Sequence, residues 1–216
     1  MSLNFTRPPD SPFRILCLGA HSDDIEIGCG GAILRLLEDN PATEVCWVVL
    51  GATGQRRAEA IESASRFLAN ARRKEIVVKE FRDGYFPYIG AEIKDFFEEL
   101  KRRFLPDLIL THYRGDLHQD HRLVSELTWN TFRNHLILEY EILKYDGDLG
   151  TPNYFVHLTE SVARRKIQTI RDCFKSQKDK GWFTEDAFSS ILRLRGVESN
   201  APEKYAEGYY ARKIVY

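Results

Sequence analysis

The sequence predicts an α/β layered fold with a mostly parallel sheet. Short runs rich in Val, Ile and Leu, without polar alternation, recur along the chain, as strands buried on both faces require. Between them lie segments whose apolar residues fall three and four apart, the helical period. No internal repeat or low-complexity stretch interrupts this alternation, which builds βαβ units.

The elements follow in order. Residues 13–20 (FRILCLGA) read as a first buried strand. Residues 31–40 read as a helix, with Ile33, Leu34, Leu36 and Leu37 on the helical period and an end at Asn40-Pro41. Residues 44–50 (EVCWVVL) are a strand, 55–69 a helix and 75–81 a strand. Residues 91–104 form an amphipathic helix presenting Ile93, Phe96, Phe97 and Leu100 on one face. Residues 108–112 (LILTH) are a short buried strand, 121–134 a helix, and 136–143 and 153–159 strands. Residues 161–177 and 185–194 read as helices before the closing YYARKIVY.

The 216 residues, 43% hydrophobic, suffice for one domain over 1–216 with a sizeable core. Thirty-one Lys and Arg balance thirty-two Asp and Glu at a net charge of -1, so the clustered basic excess of a nucleic-acid reader is missing. No apolar run approaches the roughly 20 residues of a membrane span. The first residues, MSLNFTRPPDSPF, lack the order of a signal peptide. Cys17, Cys29, Cys46 and Cys173 are scattered, which fits free buried thiols and a cytoplasmic protein.

In parallel sheets, ligands bind beyond the carboxyl ends of the strands. Chemistry is therefore expected just after Ala20, Leu50 and Thr111, and polar clusters fall there. The first is His21-Ser22-Asp23-Asp24-Ile25-Glu26. Three carboxylates this close repel unless a cation or donors compensate them. An imidazole nitrogen of His21 and a carboxylate oxygen of Asp24 suit Zn²⁺. Asp23, aimed differently, is placed to take a proton from water, and Glu26 to tie the loop to backbone amides or an arginine. A capping cluster is the plain alternative. The following Gly28-Cys29-Gly30-Gly31 matches no phosphate-loop fingerprint and reads better as small residues letting a helix pack on the sheet.

The second cluster runs from His112 to Arg122, with His118-Gln119-Asp120-His121 at its centre. His21 and Asp24 with one histidine from this cluster make three zinc ligands and leave the fourth position for water, as in catalytic sites. Spacing alone does not say whether His118 or His121 is that ligand. Asp120 is expected to hold the tautomer of His118. His112 is expected to support the site as a strand end. Asp116 is expected to meet substrate hydroxyls, while Tyr85, Phe86 and Tyr88 read equally as a stack for a sugar ring or as packing residues.

AHSDDIE followed by HQDHR resembles the PIG-L/LmbE family of metal-dependent N-deacetylases. Ser22 stands where the family's AHPDDxE motif carries proline. The resemblance implies a Rossmann-like three-layer LmbE-like fold, with His21, Asp24 and His121 as zinc ligands and Asp23 as general base. It also implies His118 as the active-site histidine, paired with Asp120. Arg56-Arg57-Ala58-Glu59-Ala60 is similar to the family's RxxEA segment, which places Arg56 near the substrate. Asp83-Gly84, Arg195-Gly196 and Tyr205-Ala206-Glu207 are similar to its DG and RG…YAE patterns. The implied reaction is removal of an N-acetyl group from an amino sugar or glycoconjugate by zinc-bound water with Asp23 as base; Fe²⁺ or Co²⁺ in place of zinc is compatible with the ligands. Rival readings are an amidase acting on a non-acetyl amide, a two-metal phosphohydrolase, and a nucleotide-binding module without catalysis. The exposed aromatic segments leave room for a homo-oligomer.

Overall fold

The structure is a computed structural model that describes residues 12–214. Residues 1–11, on which most of the argument against a signal peptide rests, lie outside the described residues. The strands are β1 (Phe13–His21), β2 (Thr43–Gly51), β3 (Arg73–Val78), β4 (Leu108–His112), β5 (Leu136–Tyr140), β6 (Tyr154–Leu158) and β7 (Tyr205–Ala211). The helices are α1 (Asp24–Asp39), α2 (Gly54–Phe67), α3 (Gly90–Arg103), α4 (Gln119–Thr131), α5 (Glu160–Cys173) and α6 (Glu185–Glu198), with 3₁₀ turns at Phe86–Ile89 and Lys175–Gln177.

All seven strands join one sheet in the order β3-β2-β1-β4-β5-β7-β6. The pairs β1–β2, β1–β4, β2–β3 and β4–β5 are parallel, and β7 runs antiparallel to both β5 and β6. Side chains of β1 alternate between two cores. Ile15 and Cys17 face α1, α2, α5 and α6, whereas Leu16, Leu18 and Ala20 face α3 and α4. Both faces are covered, which is why β1 and β2 read as continuous apolar runs. The result is the expected three-layer α/β fold. Among the described residues, no helix is long and apolar enough to cross a membrane. All four cysteines are free and buried.

Several boundaries depart from the expected ones: β3 spans Arg73–Val78 instead of 75–81, β5 ends at Tyr140 instead of 143, α4 spans Gln119–Thr131 instead of 121–134, and α5 ends at Cys173 instead of 177. Helix α1 begins at Asp24, seven residues before the expected start, despite three glycines that weaken a helix. A Cβ on Gly28 would lie 2.1 Å from the Tyr140 ring, and one on Gly30 2.7 Å from Phe67. Close packing on the sheet and on α2 thus sets those residues. Strand β7 begins at Tyr205, within a stretch with no legible strand boundary, and is fixed by its two neighbours. Helix α6 runs on to Glu198.

The carboxy-terminal motifs are architectural. Arg195 donates to both oxygens of Glu141 at 2.6 and 2.7 Å and to Gly150 O at 3.0 Å. A Cβ on Gly196 would sit 2.2 Å from Lys204 O, so only glycine lets the approach to β7 pass. Buried Glu207 accepts from Gly31 N, Ala32 N, Lys166 Nζ and Tyr209 Oη, all within 2.6–2.7 Å. In the same way Glu59, from the RxxEA-like segment, accepts from Ser176 N and Oγ and ties α2 to the chain after α5.

Candidate metal centre and active site

From β1 the chain builds β2 and β3 on one side and β4 and β5 on the other. The crevice at the carboxyl ends of β1 and β4 is therefore the topological switch point, where α/β sheets bind ligands. His21 closes β1, Asp24 opens α1, and His121 lies in the first turn of α4.

These three side chains converge. His21 Nδ1 lies 3.2 Å from His121 Nε2 and 3.4 Å from Asp24 Oδ2, and His121 Nε2 lies 3.5 Å from Asp24 Oδ2. A tetrahedral Zn²⁺ with nitrogen and oxygen donors at about 2.0–2.2 Å needs donor separations of about 3.3–3.6 Å. The near-equilateral triangle fits that requirement, and all three residues are buried. More broadly, His21, His118 and His121, then Asp24, His112 and His121, and then His21, Asp83 and Asp120 each form groups with ligand atoms within 4.8 Å.

A ring of carboxylates holds the outer nitrogens. His21 Nε2 lies 3.0 Å from Asp83 Oδ1 and 3.2 Å from Asp120 Oδ2. His121 Nδ1 lies 2.9 Å from Asp116 Oδ2. Both histidines can then keep a proton on the outer nitrogen and a lone pair toward the triangle. Burial works against the charge of Asp24, yet His121, His112 and His21 outweigh it and hold its carboxyl well below the usual range. Burial likewise opposes protonation of His21, but Asp24, Asp120 and Asp83 raise it well above an ordinary histidine.

Asp23 is buried beside this triangle, not in it. Its Oδ1 is 3.5 Å from Arg56 Nη2 and 3.4 Å from Ser22 Oγ, while Arg56 Nε donates to Ser22 Oγ at 3.1 Å. The serine in the proline position thus puts a hydroxyl between Arg56 and Asp23. Burial, and next the charge of Asp24, pushes the Asp23 carboxyl up from its usual range. Arg56 Nη1 also donates to Asp83 Oδ2 at 3.1 Å.

His118 is half-buried and caps α4, its Nδ1 accepting from Asp120 N at 3.2 Å. A neutral His118 so bound carries its proton on Nε2. Burial, with the neighbouring His121 and His21, lowers its affinity for a second proton. The expected pairing of Asp120 and His118 is therefore realised through the Asp120 backbone. The Asp120 carboxylate instead accepts from Gly84 N at 2.6 Å and Phe86 N at 3.1 Å and faces His21.

Two other expectations, for Asp116 and Glu26, are corrected. Asp116 does not face substrate: it is 2% exposed, and its oxygens are taken by His121 Nδ1, Lys144 Nζ and His118 N. Of the two readings for the aromatic residues, Phe86 takes the packing one, fully buried against Phe81 and His21, so the stacking one is left to the exposed Tyr85 and Tyr88. Glu26 is buried without an arginine partner, and burial pushes its carboxyl well up. His112 stacks on His121 with ring centroids 3.9 Å apart, and its Nε2 accepts from Ala20 N at 3.0 Å and lies 3.2 Å from Asp24 Oδ2. Asp83 was legible only as a turn residue, and Lys144 carried no signal, because its role depends on where the segment after β5 lands.

Residues 16–132 match a family model described as PIG-L, GlcNAc-PI de-N-acetylase. Several solved structures share the fold. A conserved protein, TT1542, from Thermus thermophilus is 18% identical with a TM-score of 0.73, over 94% of this chain and 96% of that one. The N,N'-diacetylchitobiose deacetylase from Pyrococcus horikoshii is 24% identical with a TM-score of 0.70, over 91% and 82%. GalB, the 4-carboxy-2-hydroxymuconate hydratase from Pseudomonas putida, is 18% identical with a TM-score of 0.71, over 94% and 98%.

Proposed function

We propose, on the premise that this chain belongs to the PIG-L family, that it is a metal-dependent hydrolase removing an N-acetyl group from an amino sugar or glycoconjugate. The observation that carries the reading is the His21–Asp24–His121 donor triangle with Asp23 set beside it and His118 across from it. A diacetylchitobiose deacetylase of the same fold supports the substrate class. A hydratase of the same fold also exists, so acetate release is the deciding readout.

His21 Nδ1, Asp24 Oδ2 and His121 Nε2 would hold the metal, with zinc the ion their geometry suits best. Bound there, it supplies Lewis acidity, acidifying a water and polarising an acetamide carbonyl. Asp23 takes the proton of the attacking water; burial, which raises its carboxyl pKa, suits it to that task. His118 Nε2–H donates to the carbonyl oxygen as negative charge grows on it. Its Nδ1 is engaged by Asp120 N, so His118 acts as a donor fixed in place. The protonated Asp23 then returns the proton to the departing amine, which closes the cycle. Arg56, about a third exposed between Asp23 and Asp83, serves as the substrate contact.

The test joins metal analysis to acetate release from UDP-linked and lipid-linked N-acetylhexosamines. Asp23→Ala is expected to keep the metal and lose turnover by about 10²–10⁴-fold. Near-normal turnover in that variant would remove the assignment of Asp23, and a metal-free wild-type protein would remove the function.

A further inference from the structure

We propose that Lys144 is a positioning residue for the metal ligand His121, acting through Asp116; the inference rests on the metal-binding reading above. Lys144 follows β5 and lies outside residues 16–132, the segment that carries the family match. Its side chain is only 10% exposed, and its Nζ lies 3.1 Å from Asp116 Oδ2. That same oxygen lies 2.9 Å from His121 Nδ1. Lys144 also pairs with Asp148, whose side chain is 6% exposed and whose Oδ2 accepts from Leu117 N at 2.6 Å.

Two buried carboxylate oxygens, Asp116 Oδ2 and Asp148 Oδ2, therefore converge on one ammonium. Among the described residues, no other side-chain cation pairs with the Asp116 carboxylate apart from His121 itself; Arg122 reaches only the carbonyls of Asp116 and Leu117. Without the ammonium, two like charges would face each other out of water, where their repulsion is weakly screened. Asp116 would then leave its place. His121 Nδ1 would lose its acceptor, and the orientation of Nε2 toward Asp24 and His21 would no longer be enforced. Asp116 Oδ1 also accepts from His118 N at 2.7 Å, so the lysine steadies the start of α4 as well. Carboxylates that orient metal-bound histidines matter in this way for affinity. Here the orienting carboxylate is itself held by a cation from a separate segment.

The experiment measures Zn²⁺ affinity of the full chain by competition with a chromogenic chelator, alongside thermal melts of the metal-free proteins. Lys144→Met is expected to weaken Zn²⁺ binding by about 10–100-fold. Lys144→Arg, which keeps the cation, should recover most of it. Asp148→Asn, which leaves the Lys144–Asp116 contact intact, should stay near wild type. A folded K144M that binds Zn²⁺ like wild type overturns the proposal, as does a D148N that loses as much as K144M. Should K144M fail to fold, Lys144→Gln takes its place under the same criteria. A wild-type chain that binds no Zn²⁺ would instead overturn the functional reading.

Discussion

His21 Nδ1 and His121 Nε2 lie 3.2 Å apart, although 100 residues separate them in the chain. Pairing of β1 with β4, in the register Cys17↔Leu110, brings them together. The two histidines at the start of α4 then separate in role. His121→Ala is expected to abolish stoichiometric zinc binding. His118→Ala should keep the metal and lower kcat by about 10²–10³-fold, the cost of removing one oxyanion donor. Metal content and turnover of the two purified variants check this, and equal zinc loss in both would contradict it.

Metal-free and zinc-loaded protein should respond to pH in opposite senses. Without metal, the folded-state pKa of His21 is raised above its ordinary 6.5. Its contribution to stability is full below about 6.5 and lost as pH rises through the folded value. Zinc must displace that proton, so binding releases protons and strengthens with pH over the same window. Thermal midpoints of both forms between about pH 6 and 8 should diverge as pH rises; parallel curves would count against His21 as a ligand.

Gly84→Ala should destabilise the protein by about 1–2 kcal/mol. Gly84 has φ +80°, while its nearest neighbour to an added Cβ is Gln119 Nε2 at 3.8 Å, so the penalty lies in the backbone and not in crowding. The same residue donates to Asp120 Oδ2, so turnover should fall with stability. Gly84→Asn, which tolerates the left-handed conformation better, should cost less in urea unfolding.

Arg195→Leu should cost about 3–5 kcal/mol, because it leaves Glu141 charged and buried without its partner. The double variant Arg195→Leu with Glu141→Leu should recover much of the loss. If the single variant unfolds at wild-type urea concentration, the pair is not structural.

Much of this was legible in the sequence because local chemistry and burial agreed. LILTH is buried at every residue, and its bounds as β4 match the expected strand. The two His/Asp clusters stood at strand ends, where the topology puts a crevice. Roles that depend on side-chain direction were not legible. Asp116 and Asp120 are both carboxylates beside histidines, yet Asp120 turns to His21 and the Gly84 amide while Asp116 turns to His121. Nothing in residue type separates them. The start of α1 was hidden for a different reason: Gly28 and Gly30 were legible as small packing residues, but glycines weaken a helix locally, and only Tyr140 and Phe67 placed against them show that the helix runs through them.

Strand β7 is the last of the seven to leave the ribosome, yet it belongs between two strands made before it. Until it arrives, β5 has an open edge and β6 lacks its partner, since among the described residues β6 pairs with β7 alone. A nascent chain therefore carries an uncapped β5 edge from the completion of Tyr140 until Tyr205 is made, the kind of surface that invites pairing with other chains. Stop codons shortly upstream of Tyr205 should accordingly yield insoluble product even though every proposed metal ligand has already been translated.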